Sequence, residues 1–96
     1  MEVLKWIQNW YQSNCNGDWE HTYGISITTI DNPGWTVIIN LQETRLENLS
    51  LDSGLIEKNE NDWFIYEIEN STFIGNGDPT KLIFLLEKFK EIAENN

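Results

Sequence analysis

The side chains that could do chemistry are concentrated between residues 15 and 35 of this 96-residue sequence. The segment holds the only cysteine, the only histidine, three carboxylates and two tryptophans, interspersed with three glycines and a proline. Glycine and proline favour sharp turns, and polar or aromatic residues on rigid turns are typical of catalytic and recognition sites. The segment therefore predicts either a small catalytic site or a surface that binds a partner.

The catalytic interpretation has a nucleophilic and a metal-assisted form. Cys15 and His21 have the residue types of a nucleophile and its base, but no third group that would orient them stands out beyond Asp18 or Glu20. Asp18, Glu20 and His21 could hold a divalent ion or provide an acid–base pair in a small hydrolase. A chain with one histidine is a poor zinc binder, because stable zinc sites use several histidine or cysteine ligands. We expect local hydrogen bonds that hold the loop instead, and no catalytic residue, metal or cofactor.

The binding interpretation starts from the aromatic residues. Trp19 and Trp35 are expected at the same end of the sheet, and an aromatic centre within a polar rim is typical of tight protein interfaces. Replacing Trp19 with alanine should then weaken binding by about 2 kcal/mol without unfolding the protein. The residues expected to contact a protein partner are Tyr11, Asp18, Trp19, Glu20, His21, Asp31 and Trp35. The alternative is that the segment only locks the first hairpin onto the first helix.

The charge balance narrows the choice of partner. Sixteen acidic residues against six basic ones give a formal net charge of −10. Such a surface repels phosphate, which excludes nucleic-acid binding through a basic footprint and disfavours anionic membranes. It favours a basic protein partner, because complementary charge accelerates association. The densest acidic run, residues 57–69, holds five acids and one lysine and is expected to form an acidic face.

The length predicts a single domain over residues 1–96, present as a monomer or weak homodimer. The first residues lack the basic and apolar regions of a secretory signal, and no stretch approaches the roughly 20 apolar residues of a membrane span. The single cysteine cannot form an internal disulfide. These features predict a cytoplasmic protein.

Hydrophobic periodicity places the elements. Apolar residues at helical spacing predict a helix over residues 2–14, and alternation predicts strands over 22–30 and 35–42. The turn between these strands contains Pro33, which fixes φ, and Gly34, which is free to take positive φ. A weaker strand is expected near 45–51.

The second half continues with a clear strand over 63–69 and a short strand over 72–74. Gly75, Asn76 and Gly77 are expected to interrupt the chain, after which Asp78 caps a helix that starts at Pro79 and ends near residue 94. The predicted fold is α+β: a meander of four to five antiparallel strands, covered on one face by the N-terminal and C-terminal helices.

The first half of the sequence resembles the immunity protein 53 family of bacterial polymorphic toxin systems. The residues that carry the resemblance are Trp10-Tyr11, Cys15-Asn-Gly-Asp-Trp-Glu-His21, Tyr23-Gly24-Ile25 and Thr29-Ile-Asp-Asn-Pro-Gly-Trp35, with the strand that follows to Leu41 and Thr44. The resemblance implies a non-enzymatic protein that binds a toxin encoded beside it, in the cytoplasm, and so protects the producing cell or its kin. A basic nuclease is one candidate for that toxin. A metal-dependent hydrolase and a self-associating structural subunit remain as alternatives.

Overall fold

The computed structural model describes residues 2–96. Within these residues, an antiparallel sheet of six strands lies between an N-terminal and a C-terminal helix in the sequence, which confirms the predicted α+β class. The elements are α1 (Glu2–Asn14), α2 (Trp19–Thr22), β1 (Ile25–Ile30), β2 (Gly34–Asn40), β3 (Leu51–Asp52), β4 (Ile56–Asn59), β5 (Asp62–Glu69), β6 (Thr72–Gly77) and α3 (Leu82–Glu94). No helix of this described part is long and apolar enough to cross a membrane.

The sheet is not the simple meander that the sequence predicts. Its order is β1–β2–β6–β5–β3, and β4 pairs with β5 farther along the same edge. After β2 the chain runs through a looped segment and the strands on the far side before β6 returns between β2 and β5. The Leu41 N–H donates to the Ser71 carbonyl at 2.8 Å and extends the β2–β6 ladder by one pair.

The core lies between one face of the sheet and the two long helices. α3 packs on β2 and β6, and α1 packs beside α3. Val3 and Ile7 of α1 and Val37 and Ile39 of β2 are buried in this core, at the helical and alternating spacings that the sequence predicts. The buried core cluster comprises Val3, Ile7, Val37, Ile39, Leu41, Leu46, Ile68, Phe73, Leu85, Leu86, Phe89 and Ala93.

The expected break at Gly75 and Gly77 is wrong, because both glycines belong to β6 in the middle of the sheet. A β-carbon on Gly75 would lie 3.0 Å from Leu85 Cδ2, and one on Gly77 would lie 2.6 Å from Lys81 Cβ. The glycines thus let α3 and the turn before it approach the sheet backbone. Glycine in a strand can signal close approach as well as a break, and here close approach is the reason.

Gly34 follows the same rule. It is the first residue of β2 and does not use the positive φ that glycine allows. A β-carbon at Gly34 would overlap the Gly77 carbonyl oxygen. Its small size, rather than its backbone freedom, therefore accounts for glycine at this position.

Three element boundaries also differ from those predicted. The strand predicted from residue 22 begins at Ile25, because Trp19–Thr22 form the short helix α2. The strand predicted over 45–51 is mostly turn, and only its last residue, Leu51, belongs to a strand, β3. The last helix begins at Leu82 instead of Pro79, since the Asp78 carbonyl accepts the Lys81 N–H and closes a turn first.

Candidate functional site

The loop between α1 and β1 is held by two of its own polar side chains. Asn16 Oδ1 accepts the backbone N–H groups of Asp18 at 2.9 Å and Trp19 at 3.0 Å. The Glu20 carboxylate accepts the N–H of Asn16 at 2.9 Å and that of Gly17 at 2.8 Å. Gly17 has a φ of 96°, a left-handed conformation that glycine adopts at little cost. The loop is therefore a defined structure in which Glu20 acts as a brace.

Trp19 is buried rather than exposed, with 1% of its surface accessible. Its ring packs against Trp10 at 6.0 Å and Tyr11 at 5.8 Å between centroids, and its indole N–H donates to the Gln42 carbonyl at 2.8 Å. The single helical turn of α2 directs the ring inward, where the buried N–H finds a partner. The exposed aromatic anchor expected at Trp19 is thus not present, and the ring joins the loop to α1 and to the end of β2.

Other side chains form the outer surface of the corner where α1, the loop after it and α2 meet. Tyr11, Asp18 and His21 are exposed, and Asp18 contributes only backbone groups to the hydrogen bonds found among residues 2–96. Tyr11 also borders a groove of about 430 Å³ between α1 and the start of β1. The groove is lined by Ile7, Tyr11, Tyr23, Gly24 and Ile25. The corner combines an apolar groove with one free carboxylate and one imidazole.

The electrostatics of this corner favour an anionic surface. Backbone N–H groups, first that of Glu20 itself and then those of Asn16 and Gly17, lower the pKa of the Glu20 carboxyl against the opposing effect of burial. The carboxylate is therefore ionised at neutral pH. The neighbouring Cys15 raises the pKa of Tyr11, mainly through charge repulsion, so the Tyr11 hydroxyl stays protonated and can donate a hydrogen bond.

Two of the side chains considered for catalysis, Cys15 and Glu20, make local hydrogen bonds. Cys15 Sγ donates to the Tyr11 carbonyl at 3.3 Å, which is the local contact of a cysteine at a helix end. The oxygens of Glu20 are occupied by backbone donors. Residues 2–96 bring together no three histidine, cysteine, aspartate or glutamate side chains that could hold a metal ion.

Asp31 and Trp35 lie at the other end of the hairpin, which corrects the expected clustering of the two tryptophans. Trp35 is the second residue of β2 and pairs with Thr29, whereas Trp19 contacts Gln42 beyond the other end of β2. The two ends are roughly 20 Å apart, since a strand rises about 3.3 Å per residue. The half-buried Trp35 donates its indole N–H to the Pro79 carbonyl at 3.0 Å, and Asp31 is exposed in the turn.

A buried carboxylate that the sequence suggested only as a helix cap lies near this second end. Asp78 is fully buried and accepts hydrogen bonds from the Trp63 N–H, from Thr80 and from Lys81 Nζ at 2.7 Å. Burial alone would raise the pKa of Asp78, but these donors outweigh it and hold the pKa well below its usual range. Lys81 also donates to Asp62 at 2.8 Å, and Asp62 first and then Asp78 raise the pKa of Lys81. This network joins β5 to the turn before α3.

Sequence reasoning missed the exposure of apolar side chains on β1 and α1. The alternation of Tyr23, Ile25 and Ile27 predicts that they share one face of the strand, but not whether that face meets the core. They do lie on the helix-covered side, yet Ile27 keeps 39% of its surface accessible, and Leu4 on α1 keeps 51%. The sequence does not predict this exposure, because it depends on the order of strands in the sheet, in which β1 is an edge strand.

Comparison with known proteins gives one family match. The family model described as immunity protein 53 matches residues 4–94. The match extends the resemblance, carried by specific residues in the first half, over nearly the whole chain. No curated protein and no solved structure matches the chain.

Proposed function

The chain belongs to the immunity protein 53 family, and on that premise we propose that it binds a cognate toxin and covers the toxin's active site with an acidic surface. The observation that carries the proposal is the corner at α1 and α2, where exposed Tyr11 lines an apolar groove and exposed Asp18 and His21 lie just before and within α2. Apolar area at the centre of a contact contributes affinity, while charges at its rim accelerate association. We expect the binding to take place in the cytoplasm, as the family resemblance implies.

The charge supports a basic toxin, and a nuclease would fit because nuclease active sites attract phosphate. A formal charge of −10 raises the local concentration of a basic partner and its association rate. Asp18 and His21 are the proposed polar contacts, with Tyr11 as the exposed aromatic one. Trp19 and Glu20 support them from within the fold. Asp31 and Trp35 would contribute only if the toxin extends along the hairpin to its other end.

The test is co-expression with the toxin encoded by the neighbouring gene, followed by pull-down and measurement of growth. A stable complex and restored growth support the proposal, and failure of both contradicts it. The corner itself is tested by comparing Asp18→Lys with Glu60→Lys, which makes the same charge change at an exposed residue between β4 and β5. We expect Asp18→Lys to weaken toxin binding at least about tenfold and Glu60→Lys to change it much less. Equal effects would mean that only net charge matters and that the corner is not the contact.

A further inference from the structure

The free edge of β1 is the feature of this sheet best suited to accept another strand. β1 pairs only with β2, and its six residues, Ile-Ser-Ile-Thr-Thr-Ile, carry no charge, glycine or proline. The register with β2 is unbroken from Ile25 opposite Ile39 to Ile30 opposite Gly34. An uninterrupted, uncharged edge rich in β-branched residues is a template for strand addition.

The antiparallel pattern identifies which backbone groups of β1 are free. The Asn40 N–H donates to the Gly24 carbonyl at 3.0 Å, which makes this a hydrogen-bonded pair. Such pairs alternate along an antiparallel ladder. Ser26, Thr28 and Ile30 therefore bond to β2, while the N–H and C=O groups of Ile25, Ile27 and Thr29 point away from the sheet. No other backbone hydrogen bond found among residues 2–96 uses these outward groups.

The side chains beside this edge provide an apolar surface for an added strand. Ile27 lies on the helix-covered side of the sheet opposite Val37, yet 39% of its surface is accessible. On the same side lies the groove between α1 and β1, and exposed Leu4 and Tyr11 project from α1. Backbone pairing would supply affinity, and the groove would select apolar side chains at alternate positions.

We propose that an extended segment of the cognate toxin adds to the sheet along β1, with apolar residues facing the groove and basic residues near its two ends. The proposal rests on the proposed function and specifies its mode of contact. Asp31 follows β1 directly at one end, and Asp18 precedes it through α2 at the other. An uncharged centre between acidic ends complements a strand with apolar middle and basic ends.

A second copy of this chain is a less suitable occupant. In an antiparallel pair of two β1 strands centred on Ile27, Asp31 of each copy would lie opposite Tyr23 of the other, beside the α2 corner with Asp18. Carboxylates would thus approach each other at both ends, and each copy has a formal charge of −10. Like charges brought together across a strand pair are destabilising.

Native-state hydrogen exchange of the full chain, alone and with the toxin domain found by co-expression, tests this mode of contact. We expect the amides of Ile25, Ile27 and Thr29 to exchange rapidly in the free protein and at least about tenfold more slowly in the complex. The amides of Ser26, Thr28 and Ile30 are internal controls that are protected in both states. A complex that leaves the outward amides unprotected would overturn strand addition while the immunity function stands.

The remaining outcomes are also decisive. Outward amides that become protected in the free protein as its concentration rises would show that a second copy occupies the edge, and would overturn the proposal. Absence of any complex would remove the proposed function and this inference with it. Protection confined to the outward amides, and only with toxin present, supports strand addition.

A pair of variants at Thr29 separates backbone from side-chain effects. Thr29 is exposed and its N–H points outward, so Thr29→Pro removes one outward donor without breaking the β1–β2 ladder. Thr29→Ala removes the side chain and keeps the donor. We expect Thr29→Pro to weaken toxin binding at least about tenfold and Thr29→Ala less than about threefold. Circular dichroism verifies that both variants are folded, and equal affinities in folded variants would overturn the proposal.

Discussion

The two edges of the sheet are built in opposite ways. The β1 edge is one uninterrupted run of six uncharged residues. The other edge consists of two short pieces, β3 with two residues and β4 with four, and the β4–β5 register shifts between Glu57 and Asn59. Short strands, charges and bulges are features that prevent edge-to-edge pairing. The edge formed by β3 and β4, called the guarded edge below, is therefore poorly suited to pair with another strand, whereas the β1 edge is able to do so.

The position of the acidic residues adds to this contrast. Asp52 of β3 pairs directly with Glu67 of β5, so two carboxylates lie opposite each other at the guarded edge. Like-charged pairs across strands destabilise a sheet, and they also discourage pairing by acidic or apolar strands. On the proposed function, the acidic run over residues 57–69 would add to the general attraction for a basic partner, and the β1 edge would provide the free backbone groups for pairing.

The largest expected effect comes from removing the support beneath the β1 side of the molecule. Trp19 is buried against Trp10 and Tyr11 and bonds to the Gln42 carbonyl, so Trp19→Ala leaves a large cavity and an unpaired carbonyl. We expect the free energy of unfolding to fall by about 4 kcal/mol, measured by urea titration. This replaces the expectation of a binding effect without a stability effect.

The matched control for this prediction is Trp19→Phe. Phenylalanine keeps most of the ring contacts and loses the hydrogen bond to Gln42, so the stability loss should be nearer about 1–2 kcal/mol. A loss below about 1 kcal/mol in Trp19→Ala would show that the loop is not held by this ring. The hydrogen bonds of Asn16 and Glu20 would then be the main support of the loop that precedes β1.

The guarded edge has its own anchor in Asp78, which accepts the Trp63 N–H of β5 and binds Lys81. Asp78→Ala leaves a buried donor unpaired and removes one of the two carboxylates around Lys81. We expect a loss of about 3 kcal/mol in the free energy of unfolding. Asp62→Ala is the control, because Asp62 is partly exposed and its removal leaves Asp78 in place. Equal losses in the two variants would contradict a central role for Asp78.

The same carboxylate predicts a response to acid. The pKa of Asp78 is lower in the folded protein than in the unfolded chain, so the unfolded chain binds a proton more readily. The stabilisation is complete above the ordinary aspartate pKa of about 4 and is lost as the pH falls from there toward the folded pKa. The difference in unfolding free energy between the wild type and Asp78→Asn should therefore shrink below about pH 4. A constant difference across this range would assign the stabilisation to packing instead of charge.

These anchors mark the boundary of what the sequence could predict. The periodicity of α1 and of the β1–β2 hairpin is local, and both elements form with their apolar faces toward the core. The direction of Trp19 depends on Gln42, which lies 23 positions away, and no local pattern contains that contact. The glycines of β6 were misread because the side chains that crowd them, Leu85 and Lys81, come from α3 and the turn before it.

The edge position of β1 also depends on contacts that are distant in the sequence. Alternation in Tyr23, Ile25 and Ile27 predicts which face each side chain takes. Whether a second strand pairs with β1 depends on where β6 enters the sheet. Because β6 inserts beside β2, β1 is left with one partner. A local pattern thus predicts the strand and its two faces, and the order of strands in the sheet determines whether its backbone is free to pair with another chain.

The smallest expected effect on stability comes from a direct exchange between the two edges. Ile27→Lys places a charge on the free edge, and Ile56→Lys places the same charge on β4, where the isoleucine is similarly exposed, at 45% against 39%. Neither side chain is in the buried core cluster, so each change should alter the free energy of unfolding by no more than about 1 kcal/mol.

The effects of the two variants on strand pairing should differ, because only the β1 edge is uninterrupted and uncharged. We expect Ile27→Lys to reduce aggregation on heating and to weaken toxin binding, while Ile56→Lys changes neither. Light scattering during a thermal ramp and toxin affinity measure the two effects. If both variants aggregate and bind alike, the edges are equivalent in solution despite their different construction, and the contact with the toxin must be sought on the helical corner alone.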